Sequence, residues 1–128
     1  MRAVRKTIQW LSLGATLLIA QAALAHPKLL SSTPADNAQV SAPDRIELRF
    51  SEGLVRQFSG ANLLMTGMPG MANHGPMKIA VTVSPGDDPK TLVVTPAKPL
   101  VPGSYRLEWR AVGSDTHPVS GRISFQVK

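Results

Sequence analysis

The chain has 128 residues, 43% of them hydrophobic, a formal net charge of +6 and no cysteine. Without cysteine there is neither a disulfide framework nor a thiolate metal or redox site, so stability must come from packing. The Lys and Arg residues are scattered, never in a run longer than a pair, which reads as a solvated surface and argues against nucleic-acid binding.

Residues 1–25 read as a cleaved signal peptide. Arg2, Arg5 and Lys6 form a positive start, Ile8 to Ala20 an apolar stretch, and Ala23-Leu24-Ala25 a small-x-small cleavage site. The apolar stretch is shorter than the roughly 20 residues of a membrane span, and no later segment approaches that length. The expectation is an exported, periplasmic protein with no membrane span in its mature form. Cleavage leaves residues 26–128 as one domain. It removes three of the 14 basic residues and none of the eight acids, so the mature charge is +3.

Cleavage also makes His26 the new N-terminus, where its free amine and ring nitrogen can chelate one metal ion together. Pro27 follows and has no backbone N–H. A metal held by the amine therefore cannot displace a proton from the next amide, and is steered towards side chains elsewhere in the fold. An exported terminal histidine of this kind points to copper.

From there the pattern is period two. Ile46, Leu48 and Phe50 alternate with polar residues, and Leu63-Leu64 lies in a shorter run. Ile79, Val81 and Val83 form the next, then the β-branched Thr91 to Thr95, then Tyr105, Leu107, Trp109 and Ala111, and finally Ile123, Phe125 and Val127. Each reads as a strand with one buried and one wet face. Breakers separate them at Ser32 to Asn37, Ser84 to Pro89 and Val101 to Gly103. About seven short strands without a helical period predict an all-β protein, an immunoglobulin-like antiparallel β-sandwich. Trp109 is expected to fill its core.

Two constellations carry chemistry. Met65, Met68, Met71 and Met77 are spaced by multiples of three, with His74 at the missing step. The intervening Gly67, Pro69, Gly70, Gly75 and Pro76 exclude a stable helix, so the methionines are expected on a loop where no core needs them. Thioether sulfur is soft and neutral, favours Cu(I), and persists in an oxidising compartment. The alternative for such residues is an adaptable hydrophobic surface. The second constellation is His26 with Asp115-Thr116-His117. In an extended segment, residues two apart share a side, and Pro118 restricts His117 to such a conformation. Imidazole, amine and carboxylate form a harder set that suits Cu(II).

With these residues in view, the chain resembles the CopC/PcoC family of periplasmic copper-resistance proteins. The likeness rests on His-Pro-Lys-Leu at His26, Ser-Thr-Pro-Ala-Asp at Ser32, Leu-Arg-Phe-Ser-Glu ending at Glu52, the methionine segment, and Gly-Ser-Asp-Thr-His-Pro-Val-Ser-Gly from Gly113 to Gly121. The resemblance implies a Greek-key β-barrel or sandwich with a Cu(II) and a Cu(I) site at opposite ends. It implies the His26 amine and ring, Asp115 and His117 for Cu(II), with Glu52 nearby. It implies Met65, Met68, Met71, Met77 and His74 as the pool of Cu(I) ligands.

The reading is a copper carrier or buffer in copper homeostasis and resistance, expected as a monomer that passes copper to envelope partners, and not an enzyme. Two alternatives stand beside it. A histidine-brace copper monooxygenase acting on polysaccharide would use His26 and His117, but Asp115 would crowd the open position that oxygen needs. A non-metal immunoglobulin-like interaction module would use the methionine segment for docking alone. No nucleophile elbow surrounds Ser114 or Ser120.

Overall fold

The computed structural model describes residue 14 and residues 26–70 and 75–128. The expected leader (Gly14 apart), Met71 and His74 lie outside the described residues. The alternating segments form strands that stack dry face to dry face, as half-apolar strands must. The strands are β1 (Leu29–Thr33), β2 (Ala38–Val40), β3 (Ile46–Phe50), β4 (Gly60–Gly67), β5 (Met77–Ile79), β6 (Val81–Pro85), β7 (Thr91–Pro96), β8 (Gly103–Val112) and β9 (Pro118–Val127). One sheet has the order β1-β3-β7-β6 and the other β2-β9-β8-β4-β5. The chain crosses between sheets after β1, β2, β3, β5 and β7, which makes the expected Greek-key sandwich. Among the described residues there is no α-helix, only a single 3₁₀ turn at Arg56–Phe58.

The inward residues of both sheets meet in one core built on Ile46, Leu48, Phe50, Leu63, Val94, Leu107, Trp109 and Phe125. Three details differ from the sequence expectation. β1 and β2 are short and carry too little alternation to read as strands. β2 also pairs with β9 in parallel, Ala38 opposite Phe125, in an otherwise antiparallel fold. The run from Ile79 to Val83 is two strands in different sheets, with Ala80 at the crossing and its carbonyl accepting from the Ala97 N–H at 3.0 Å. Apolar residues face inward on both sides of the crossing, so alternation runs through a change of sheet unbroken.

Trp109 fills the core as expected, edge-on to Phe50 with ring centroids 5.0 Å apart. Its indole lies over Gly121, its direct partner across β8 and β9. A Cβ at Gly121 would overlap the indole ring, so only glycine fits there without displacing Trp109. Gly121→Ala is expected to cost about 1–3 kcal/mol, the usual range for overpacking, read as a lower urea midpoint. An unchanged midpoint would show that the indole has room to move.

Candidate metal centres

At one end of the sandwich, the β8–β9 connection is a tight turn. The Thr116 N–H donates to the Gly113 carbonyl at 3.0 Å, and the His117 N–H donates to Asp115 Oδ1 at 3.2 Å. Thr116 sits at φ 64°, the left-handed region that a β-branched residue rarely enters, and strain of this kind collects at functional sites. The extended geometry expected for Asp115-Thr116-His117 is thus replaced by a turn. Its curl, and not strand alternation, brings Asp115 and His117 to one point. The signal was present in Gly113 and Asp115, which favour turns.

The segment before β1 closes over this turn. The Lys28 N–H donates to Ser51 Oγ at 2.9 Å, and the Ser51 N–H donates to the Lys28 carbonyl at 2.9 Å. Pro27 is buried against Gly113, where a Cβ would stand 3.0 Å from Pro27 Cγ. Pro27, Ser51 and Gly113 therefore position His26, a role that sequence reading did not assign them.

The result is a compact cluster. His26 Nδ1 lies 2.7 Å and His117 Nδ1 3.7 Å from Asp115 Oδ2. The three residues offer one ligand atom each within 4.8 Å of one another. The imidazoles are exposed, whereas the Asp115 side chain is only 5% exposed. Its Oδ2 is buried without an aligned hydrogen bond, even with His26 Nδ1 so close. An unpaired buried carboxylate oxygen is costly, and a cation held between it and the imidazoles would offset that cost. Two imidazoles converging on one such oxygen fit a cation. Glu52 is at the same end, its Oε2 3.5 Å from where a Gly113 Cβ would be, but it stands outside the cluster.

The other end holds the thioethers. Met65 is not on a loop: it lies in β4, 2% exposed, paired with Tyr105 of β8 and Met77 of β5. It continues the alternation begun at Leu63, so the strand runs further than Leu63-Leu64 suggested. The pairing of β4 with β8 shifts register between Met65 and Gly67, and Met68 follows, partly buried against the core. Met77 opens β5 and is 45% exposed. Met65, Met68 and Met77 line one cleft of about 360 Å³ with Ile79, Leu100, Val101 and Tyr105. The Tyr105 hydroxyl donates to the Val101 carbonyl at 2.6 Å, and burial raises its pKa above the usual phenol value. Tyr105 therefore adds no charge to the cleft. β8 spans the distance between the two ends, ten residues or about 30 Å at ~3.3 Å per residue.

The CopC domain family matches residues 29–128. The chain belongs to the CopC family. This CopC-family chain is 58% identical over 115 residues to Copper resistance protein C of Pseudomonas syringae pv. tomato, covering 90% of each chain. It is 52% identical over 115 residues to Copper resistance protein C of Escherichia coli, covering 90% of this chain and 91% of that one. It superposes on PcoC, a methionine-rich copper resistance protein from Escherichia coli, with a TM-score of 0.76 at 53% identity, covering 81% of this chain and 100% of that one. CopC from Methylosinus trichosporium OB3b matches with a TM-score of 0.64 at 26% identity, covering 80% and 94%. The shared β-sandwich is the fold the alternating sequence called for.

Proposed function

We propose that this protein binds copper as cargo in the periplasm and carries or buffers it for copper homeostasis and resistance, without catalysing a reaction. The convergence of His26 and His117 on the buried Asp115 carboxylate carries this reading. With residues 1–25 removed, the His26 amine joins two imidazoles and a carboxylate, a nitrogen- and oxygen-rich set suited to Cu(II). The thioether cleft at the far end supplies neutral, soft donors for Cu(I) from Met65, Met68 and Met77, with Met71 and His74 completing the candidate pool. Two pools of different softness let one carrier hold either oxidation state. The curated relatives named for copper resistance support the choice of metal.

Asp115 also speaks against the monooxygenase alternative. It approaches His26 within contact distance inside the cluster, where an oxygen-activating brace needs an open position. Glu52 is best placed as a nearby charge that favours the cation, and not as a fourth ligand.

The test compares protein beginning at His26 with protein carrying one extra N-terminal glycine, by Cu(II) titration and electron paramagnetic resonance. The extension is expected to weaken Cu(II) binding sharply and to change the nitrogen hyperfine pattern, because it moves the amine away from the ring. Identical spectra and affinities for both forms would remove the amine from the site.

A further inference from the structure

The thioether cleft has a charged rim that metal binding alone does not explain. Lys78 and Lys98 both line it, both are exposed, and neither makes an ion pair among the described residues. No acidic residue lines the cleft. Asp44 shares the adjoining crevice with Lys98 but is not paired with it. Glu52 and Asp115 lie at the opposite end, where the Leu54 N–H donates to the Pro89 carbonyl beside Asp88. Two unpaired ammonium groups beside a cation-binding cleft oppose tight retention of the cation, so their placement calls for another role.

The cleft is also open and apolar enough to take a partner. Met77 and Val101 are 45% and 47% exposed at its margin, and Ile79 and Pro99 extend its lining. On one side stands β5, the last strand of its sheet among the described residues, and a sheet edge is where extended segments dock.

We propose that the thioether cleft is the docking groove for a copper-accepting protein that presents methionine on an extended, acidic segment, with Lys78 and Lys98 selecting it by charge. This rests on the cleft being the Cu(I) site. The incoming thioether would meet the exposed Met77 side of the cleft while its flanking carboxylates neutralise the two lysines. Docking would then remove water and add a competing soft donor in the same step. Rim charges act mainly on encounter rate and partner choice, which is what a carrier that must release its cargo to one acceptor requires.

The test uses a short synthetic peptide alternating methionine with aspartate, and its asparagine counterpart with the same thioethers. Binding to the protein and Cu(I) transfer from it are both measured at low and high salt. The aspartate peptide is expected to bind about five- to tenfold more tightly than the asparagine peptide at low salt, with the difference lost at high salt. Lys78→Gln with Lys98→Gln should abolish that difference while Cu(I) retention, measured separately by competition with a Cu(I) chelator, is unchanged or increased. Equal binding of the two peptides, or an aspartate preference that survives in the double variant, would overturn the proposal. Failure of the unaltered protein to retain Cu(I) would instead overturn the reading of the cleft as a copper site.

Discussion

Asp115→Asn is expected to lower Cu(II) affinity by about a hundredfold or more while leaving the apo protein folded. The amide keeps the volume of the carboxylate and an oxygen to accept from the His117 N–H, so the turn from Gly113 to His117 retains its closing bond. What it removes is the negative charge at the one atom on which both imidazoles converge. The loss should exceed the 10- to 100-fold typical of residues that only orient a ligand. Because Asp115 Oδ2 is buried without an aligned hydrogen bond, neutralising it relieves a desolvation cost in the apo state. The apo melting temperature is therefore expected to hold or rise, while the stabilisation conferred by added Cu(II) falls with the lost affinity. Competition titration against a chromophoric chelator measures the first effect, and thermal unfolding with and without Cu(II) measures the second. Unaltered Cu(II) affinity would show that Asp115 only positions His117.

Much of this architecture is legible in the sequence because burial imposes period two. Phe50, Leu107 and Phe125 are at 0 to 2% exposure in the core, at positions where alternation placed them. The candidate donors stood out in the sequence for a different reason: thioethers, and a histidine expected at a new N-terminus, have few structural uses that would scatter them in this way. What alternation could not convey was three-dimensional register. It cannot distinguish a strand from one that changes sheets at Ala80, since inward positions stay inward on both sides. Nor can it reveal that Asp115 and His117 are joined by a left-handed Thr116, because the left-handed conformation is imposed by closure of the β8–β9 hairpin and not by threonine's own preference. Met65 shows the limit most clearly. Its chemistry suggested a loop ligand, but it alternates with Leu63 and occupies the core strand while still lining the cleft. The lysines of the rim had no signal in sequence, since Lys78 and Lys98 are brought to one cleft only by the fold.

Because the two ends lie about 30 Å apart along β8, the sites should be separable by mutation. Changing Met65, Met68 and Met77 together to leucine is expected to abolish Cu(I) retention, while Cu(II) affinity at His26 and His117 stays within about twofold, as additivity of distant sites requires. Leucine is the right replacement. It is close to methionine in volume and costs less than about 1.5 kcal/mol per buried site, so Met65, buried beside Tyr105, can lose its sulfur without opening a cavity. Single variants should grade the site: Met77→Leu removes the most exposed of the three thioethers and Met65→Leu the most enclosed. Retention is read by competition with a Cu(I) chelator, and the fold by urea unfolding. Loss of Cu(I) and Cu(II) binding together, in a variant that unfolds at a normal urea midpoint, would mean that the two ends are one coupled site and would overturn the two-pool carrier. Retention of Cu(I) by the triple variant would place the ion on Met71 and His74 instead and remove the cleft as the Cu(I) site.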